Sequence, residues 1–146
     1  MDFMTALDIG ASALSADRTQ LNVTAMNLAN AKTTRMPGGF GPYQRKSVVK
    51  VTSDLDNLFG RHMQSELDRA VKGVRVMGIA TDQRPPKLVY EPGHPDANED
   101  GYVAYPDINV VEEMANMMTA QRNYEANATT VDTIKAMYNK ALEIGR

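Results

Sequence analysis

The sequence predicts an α+β fold, mainly α-helical, in which long N- and C-terminal helices pair as a coiled coil and a small β-hairpin unit lies between them. Apolar residues recur at seven-residue spacing in both terminal segments, which is the repeat of a coiled-coil helix. In the middle the pattern changes to period two and is interrupted by glycines and prolines. The 146 residues therefore divide into an N-terminal coiled-coil helix (1–35), a central β-rich segment (36–107) and a C-terminal coiled-coil helix (108–146).

The longest predicted helix covers residues 109–146. Two rows of its surface, four positions apart, hold Val110, Met117, Tyr124, Val131 and Tyr138, and Met114, Gln121, Ala128, Lys135 and Leu142. Asn109 is the predicted N-cap, with Glu112 in a capping-box position and Glu113 complementing the positive end of the helix dipole. Roughly 36 residues at 1.5 Å each make a rod of about 54 Å, which is too long to bury its own apolar stripe. This helix requires another long helix.

The N-terminal helix, predicted to run from a cap at Asp2 to about residue 31, provides that partner. Its two rows hold Leu7, Leu14, Leu21 and Leu28, and Met4, Ala11, Arg18 and Ala25. The second row is small or polar, so it disfavours an independent leucine zipper and permits close packing against the bulkier C-terminal residues. Gly10 and Arg18 weaken the isolated helix further. The alternative is that both stripes are core faces of a helical bundle.

Two asparagines, Asn27 and Asn30, stand one turn apart near the end of this helix. Asparagine is a poor helix-interior residue because its side chain competes for backbone groups. The pair therefore indicates side-chain hydrogen bonds that fix the helix exit or an adjoining chain. The alternative is a fraying helix end with an asparagine near the C-cap.

The central segment has the alternation of half-exposed strands. One strand is predicted from Tyr43, a second over residues 74–80, and shorter extended pieces over residues 87–90 and 102–105. Together they predict a small twisted β unit with edges that a neighbouring subunit could cover. Residues 54–70 form a variable region that is either a short helix, from the spacing of Leu55, Leu58 and Phe59, or a loop, because Gly60 interrupts that spacing.

Composition excludes several functional classes. The formal net charge of −2 gives no general attraction to nucleic acid, and no basic stripe with interleaved aromatics is present. Absent cysteines remove disulfides and thiol chemistry. No run approaches the roughly 20 apolar residues of a membrane span, so we expect no direct membrane insertion. The first 14 residues lack the charge and apolar core of a cleaved signal, which predicts a cytoplasmic protein unless another export route reads the N-terminus.

One loop matches part of the sequence pattern of a calcium-binding loop. Asp96, Asn98, Asp100 and Gly101 match the first half of a calcium-loop pattern, with Asp107 at the twelfth position. Prolines and strand-like residues flank it where an EF-hand needs helices. The alternative is an Asx-rich turn in which Asp96, Asn98 and Asp100 satisfy backbone amides and Gly101 takes a positive φ.

Catalytic signatures are missing from the sequence. His62 and His94 lie in unlike segments without metal-ligand spacing, and the pair His62 and Glu66 is typical of a solvated helix face. No nucleophile elbow, P-loop or Rossmann fingerprint occurs. We therefore predict a protein that is not an enzyme and needs no cofactor or metal.

The pattern as a whole resembles the bacterial flagellar axial family of rod and hook proteins, and most closely a proximal rod protein. The segments that carry the resemblance are residues 27–31 with Thr33, residues 38–46, 88–96, 101–103 and 106–114, and Arg122 with residues 124–127. The Asn-x-x-Asn-x-x-Thr element is shared across the family.

The resemblance implies a structural subunit of the flagellar basal-body rod, the periplasmic drive shaft, assembled helically through its terminal helices, which also form the wall of the export channel. It implies contacts with further copies, with the rod proteins FlgB, FlgF and FlgG, the adaptor FliE and the MS ring, and with the flagellar type III export apparatus. Export through that apparatus needs no cleaved signal, so the resemblance places the protein in the periplasmic rod.

The expected assembly interface combines apolar seam residues with polar residues that set the axial register, because a buried hydrogen bond fixes alignment where apolar contacts permit slippage. The residues are Leu7, Leu14, Leu21, Leu28, Asn27, Asn30, Val110, Met114, Met117, Arg122, Tyr124, Asn127, Val131, Tyr138 and Leu142.

Two other classes share parts of this pattern. A helical adaptor or chaperone would carry the same terminal seams but form a closed oligomer. A calcium-regulated binding module would use the loop at Asp96 and Asp100 and be stabilised by calcium.

Overall fold

The computed structural model describes residues 3–38, 41–54 and 72–144. Along the chain, helix α1 (Phe3–Ala29) comes first and helix α2 (Val110–Ile144) comes last. Between them lie four strands: β1 (Lys46–Asp54), β2 (Lys72–Thr81), β3 (Lys87–Tyr90) and β4 (Tyr102–Tyr105). The α+β, mainly helical fold predicted from the sequence is confirmed. The helix or loop predicted near residues 54–70, which includes His62 and Glu66, falls outside the described residues except for Asp54. Asp2, the predicted cap of α1, is also outside them.

Helix α2 begins where its cap predicts. The Asn109 side-chain oxygen accepts hydrogen bonds from the Val111 amide at 3.0 Å and the Glu112 amide at 3.4 Å. These amides would otherwise lack partners in the first turn of the helix. The prediction of Asn109 as N-cap is confirmed.

The strands form two separate two-stranded sheets, one of β1 and β2 and one of β3 and β4. Strands β3 and β4 are antiparallel, with Leu88 opposite Ala104 and Tyr90 opposite Tyr102. Because side chains alternate along a strand, Val103 points to the other face, where it is completely buried. The β3–β4 pair therefore has one packed face and one exposed face.

The chain divides into two compact units. Unit 1 comprises Met1–Thr19, Val49–Gly78 and Ala120–Arg146, and unit 2 comprises Gln20–Val48 and Ile79–Thr119.

In unit 1 the segments of α1 and α2 run antiparallel. The rings of Phe3 and Tyr138 stack with centroids 4.2 Å apart, and at the other end Asp17 meets Asn127. Ala16 is buried between these ends of the segment, and the Ser12 hydroxyl accepts a hydrogen bond from the Val74 amide at 3.2 Å, which ties β2 to α1. Small side chains permit this close approach.

Gly10 marks the tightest of these contacts. A Cβ atom built at Gly10 would lie 2.6 Å from Cγ2 of Val131, closer than real Cβ contacts allow. The glycine that weakens α1 as an isolated helix therefore makes room for α2.

We expect Gly10→Ala to reduce the free energy of unfolding by about 1 kcal/mol. Overpacking against Val131 costs about 1–3 kcal/mol, and the higher helix propensity of alanine offsets about 1 kcal/mol of this cost. Urea unfolding of the purified chain measures this change. In a Val131→Ala background the same Gly10→Ala change should become stabilising. Gly93→Ala is the matched control, since a Cβ there meets nothing within 4 Å. Equal effects of Gly10→Ala in both backgrounds would contradict the packing assignment.

In unit 2 the buried residues are partly polar. Val23, Tyr43 and Val103 form the apolar part, while Thr24, Asn27 and Glu113 are also buried. The Thr24 hydroxyl donates to the Gln20 carbonyl at 2.9 Å. Asn27 and Glu113 bond to each other and to the chain that follows α1.

Burial on α2 involves one predicted row, in which Met117 and Val131 are half-buried, and one row that differs from both predicted rows. Glu113 and Ala120 are buried, and Asn127 and Ile134 continue their seven-residue spacing as half-buried residues. This row lies one position before the predicted row that contains Met114 and Leu142. In this row Glu113 and Asn127 are polar and Ala120 is small, and the two polar side chains bond to specific groups of their own units.

Among the described residues, neither helix has the long uncharged apolar stretch needed to cross a lipid bilayer.

Candidate assembly interface

Asn27 is the centre of a buried polar cluster in unit 2. Its side-chain amide donates to the Lys46 carbonyl at 2.8 Å and to the Glu113 carboxylate at 3.1 Å. Its oxygen accepts hydrogen bonds from the Lys46 amide at 2.9 Å and the Tyr43 hydroxyl at 3.0 Å. With only 1% of its surface exposed, Asn27 joins α1, the start of β1 and α2 through four hydrogen bonds.

Glu113 carries the charge of this cluster. Arg45 donates to one carboxylate oxygen through Nε at 2.8 Å and Nη2 at 2.6 Å, while Asn27 donates to the other. Glu113 is 2% exposed, so its charge is removed from water and depends on these donors for compensation. The carboxylate thereby fixes the segment before β1 against α2.

Tyr43 closes the cluster. Burial, followed by the negative charge of Glu113, raises the pKa of the Tyr43 hydroxyl above its ordinary value. The hydroxyl is therefore kept protonated as the donor to Asn27. The Tyr43 amide also donates to the Thr33 carbonyl at 3.1 Å, so both ends of this residue are held.

A second, more exposed set of charges lies in the same unit. Arg84 donates to Asp82 at 2.8 Å and to Asp107 at 3.2 Å, and Asp82 lies 4.0 Å from Arg45. The side-chain hydrogen bond from Arg84 is the main reason that the pKa of Asp82 is lowered. Because these groups are open to solvent, the pairs orient the segment between β2 and β3 relative to Asp107, which follows β4, more than they stabilise the unit.

Unit 1 has its own polar cluster, centred on Asp17. This buried carboxylate accepts hydrogen bonds from Asn127 at 2.8 Å and from Lys50 at 3.2 Å. Asp17 therefore links α1 to both α2 and β1. As in unit 2, the polar contact favours one axial position of the two helix segments, because a shift by one turn would remove the Asn127 donor from the buried carboxylate.

Asn30 fixes the exit from α1. Its amide donates to the Met26 carbonyl at 2.9 Å, and its oxygen accepts from the Thr33 hydroxyl at 3.2 Å. The sequence alternatives for the asparagine pair were side-chain bonding or a fraying end, and the structure shows bonding at both asparagines.

The predicted interface residues fall into three groups in the described chain. Asn27 is buried, and a half-buried group lines or flanks the helix contacts: Leu7, Leu14, Leu21, Leu28, Asn30, Met117, Asn127 and Val131. The exposed group lies entirely on α2 and contains Val110, Met114, Arg122, Tyr124, Tyr138 and Leu142. The exposed fraction is 51% for Met114 and 56% for Leu142, so these large side chains are available to other molecules.

In the loop that matches the calcium pattern, residues 96–101, side chains form hydrogen bonds with other groups of the same chain. The Asn98 side-chain oxygen accepts from the Tyr102 amide at 2.7 Å, and Gly101 has a φ of +79°. These two features match the Asx-turn interpretation. Asp96 differs from that interpretation, because its carboxylate accepts from the Thr34 hydroxyl at 2.8 Å instead of from a backbone amide. His94 accepts from the Asp96 amide at 3.1 Å. No group of three or more potential metal-ligating side chains is found within the described ranges.

Sequence reasoning missed three members of the buried cluster: Tyr43, Arg45 and Glu113. The sequence pattern predicts that Glu113 complements the helix dipole, whereas the structure buries it against Arg45, 68 positions away. The same analysis predicts a half-exposed strand from Tyr43, which would include Arg45, but β1 begins only at Lys46. The one available signal was the adjacent pair Glu112 and Glu113, of which only the first is required for a capping box.

Two family models match the chain at its ends. The model described as "Flagella basal body rod protein" matches residues 7–35. The model described as "Flagellar basal body rod FlgEFG protein C-terminal" matches residues 99–144. The matched ranges contain most of α1 and all of α2.

Curated relatives match the chain over its full length. The chain is 42% identical to the flagellar basal-body rod protein FlgC of Salmonella typhimurium, with 100% of each chain covered. It is 40% identical to the protein of the same name in Bacillus subtilis, with 97% of each covered, and 37% identical to that of Borreliella burgdorferi, with 99% of this chain and 98% of the relative covered.

Proposed function

Since the chain belongs to the FlgC family of flagellar basal-body rod proteins, we propose that it builds the rod by packing its terminal helices side by side with those of neighbouring subunits. The family membership confirms the resemblance found in the sequence. The chain is a structural subunit of the flagellar basal-body rod.

The observation that supports this mode of assembly is the apolar surface left exposed on α2. Val110, Met114, Tyr124, Tyr138 and Leu142 remain 38–56% exposed although α2 already contacts α1 within each unit. A contact between different surfaces of identical subunits generates an open helical assembly when its rotation does not close into a ring. We assign these residues to contacts between chains, and Leu7, Leu14, Leu21, Leu28, Met117 and Val131 to the seam around the helix pair.

The polar register residues act within the chain and between chains. Asn27, Asn30 and Asn127 use their side chains on groups of their own unit, so they set the axial alignment of the helices that other subunits meet. Arg122 is exposed and is assigned to a neighbouring subunit. A subunit with one fixed helix register presents the same surface in every copy, which a regular rod requires.

The finer placement also belongs to this proposal. The terminal helices form the inner layer and wall of the export channel, and the rod serves as the periplasmic drive shaft. The chain travels through the flagellar type III export apparatus without a cleaved signal. Its neighbours are further copies, FlgB, FlgF, FlgG, the adaptor FliE and the MS ring, and it acts without catalysis. The relatives favour this function over the alternative of a closed helical adaptor.

Deleting the gene in its motile host, with electron microscopy of the basal bodies, tests the function. We expect basal-body rings without a rod and cells that do not swim, with both defects repaired by the wild-type gene. A complete rod in a swimming deletion strain would refute the assignment.

A further inference from the structure

We propose that His94 makes the attachment of the β3–β4 loop, residues 91–101, to the end of α1 depend on pH. With a neutral imidazole the loop is held against Thr34, and uptake of a proton by His94 releases it. The proposal concerns contacts inside unit 2, so it stands or falls independently of the proposed function.

The β3–β4 loop contains a tight turn that uses a side-chain acceptor from its first residue. The Ala97 amide donates to the His94 carbonyl at 3.0 Å, which closes a four-residue turn with Pro95 at its second position. The amide of the third residue, Asp96, donates to Nδ1 of His94 at 3.1 Å. Aspartate, asparagine and serine are the usual first residues of such turns, because their short side chains can accept from the backbone two residues on. His94 takes that role through Nδ1.

The carboxylate of Asp96 attaches this loop to the chain that follows α1. It accepts a hydrogen bond from the Thr34 hydroxyl at 2.8 Å, and Thr34 lies shortly after the end of α1 at Ala29. Among the described residues, this is the only hydrogen bond between residues 91–101 and residues 30–38. The turn sets the position of the Asp96 backbone, so the attachment to Thr34 depends on the turn.

A proton on Nδ1 is incompatible with this turn. A neutral imidazole that accepts at Nδ1 carries its hydrogen on Nε2, whereas an imidazolium donates from both nitrogens. Two N–H groups would then face each other across the 3.1 Å between Nδ1 of His94 and the amide nitrogen of Asp96, so the hydrogen bond is lost and the turn opens. His94 is half-buried, so water reaches the ring. Imidazole side chains as a class change charge between about pH 5 and pH 8, so the attachment responds in the physiological range.

The carboxylates around His94 determine which group the imidazolium binds. Asp96 is held nearby by covalent geometry, because its own amide already contacts Nδ1. Glu91 is engaged elsewhere: it accepts from the Tyr105 hydroxyl at 3.0 Å, and the Tyr105 ring meets the His94 ring edge to face with centroids 6.3 Å apart. The hydrogen bond to Glu91 raises the pKa of Tyr105, so the hydroxyl remains a donor. We therefore expect the imidazolium to take the Asp96 carboxylate away from Thr34.

The other charged groups near the loop are exposed. Glu99 and Asp100 follow in the loop, Lys87 begins β3, and Arg35 lies in the segment after α1. Of these, Arg35 is the group that would hold the Asp96 carboxylate in place, since opposite charges attract. Within the described part of the chain the two form no ion pair, so this attraction is weak and does not prevent release.

Nuclear magnetic resonance of the purified full chain tests the loss of the turn. The Asp96 amide proton is followed from about pH 8 to about pH 5 together with the ring signals of His94. We expect the amide resonance to move to higher field as its hydrogen bond to Nδ1 is lost, with the same midpoint as the ring signals, and the Thr34 signals to move with it. The chain has two histidines, so the ring signals that disappear in His94→Asn assign His94.

His94→Asn is also the matched control. The asparagine oxygen can accept from the Asp96 amide in place of Nδ1 but does not titrate, so the turn is kept at every pH in this range. We expect the Asp96 amide of this variant to keep a hydrogen-bonded chemical shift from about pH 8 to about pH 5.

A double-mutant cycle tests the release of Thr34. Urea unfolding of the wild type, Thr34→Val, Asp96→Ala and the double variant gives the coupling between these two side chains. We expect the coupling at about pH 7.5 to fall about twofold or more at about pH 5.5, and to stay constant when the cycle is repeated in a His94→Asn background. An Asp96 amide shift that does not follow the His94 ring, a coupling that is independent of pH, or the same pH dependence in the His94→Asn background would each overturn the proposal.

Discussion

Glu113→Ala is expected to reduce the free energy of unfolding by about 3 kcal/mol. Removing one partner of a buried ion pair costs about 3–5 kcal/mol because the other charge is left uncompensated. Arg45 retains 21% side-chain exposure and lies near Asp82, so part of its charge is still solvated or paired, which places the loss at the lower end. Urea unfolding of the purified chain measures this loss.

The adjacent Glu112→Ala variant is the matched control. Glu112 is exposed and carries the same charge in the same helical turn, so its removal should cost less than about 1 kcal/mol, from the helix dipole and a solvent-screened attraction to Arg84. Replacing Arg45 and Glu113 together by Met and Leu should cost less than Glu113→Ala, because no unpaired charge remains. Similar losses for Glu112→Ala and Glu113→Ala would contradict the assignment of Glu113 to a buried ion pair.

Asn27→Ala is expected to cost about 2–4 kcal/mol. The substitution leaves the amide and carbonyl of Lys46 and the hydroxyl of Tyr43 without their buried partner, and each such loss costs about 1–3 kcal/mol before water or rearrangement compensates. The same unfolding experiment gives the value. In the flagellated host, the variant should also reduce the number of complete rods.

Asn22→Ala is the control for Asn27→Ala, since Asn22 is an exposed residue of the same helix. It should change stability by less than about 0.5 kcal/mol. Asn27→Asp extends the test, because it keeps the acceptor oxygen but places a carboxylate where the amide now lies 3.1 Å from Glu113. A stable Asn27→Asp variant would show that the donor bonds of Asn27 do not matter.

The sequence was sufficient for the elements whose pattern is local. Strands β3 and β4 occupy the predicted residues 87–90 and 102–105, and α2 begins after the predicted cap at Asn109. Each depends on neighbouring residues: alternation along a strand, or a side chain that reaches the amides of the next turn. The predicted register role of Asn27 also came from a local anomaly, an asparagine within a helix.

The buried row of α2 could not be obtained in the same way. Seven-residue spacing of apolar side chains selects the rows of Met114 and of Met117, and the second of these is half-buried at Met117 and Val131, whereas the fully buried positions are Glu113 and Ala120. Glu113 is buried because Arg45 and Asn27, which are 68 and 86 positions away in the sequence, donate hydrogen bonds to its carboxylate. The start of β1 at Lys46 also depends on a contact between distant residues, because Tyr43 donates a hydrogen bond to Asn27 of α1 and lies before the strand. These features depend on contacts between residues that are distant in the sequence, and such contacts leave no periodic pattern from which they could be predicted.

Electron cryomicroscopy of isolated basal bodies tests the central claim, that the terminal helices of this chain form the inner layer of the rod. We predict that α1 and α2 line the channel in each copy and that exposed α2 residues such as Met114 and Leu142 are covered by neighbouring chains. A rod in which this chain is absent, or in which its helices lie on the outer surface with those residues open to solvent, would contradict the account.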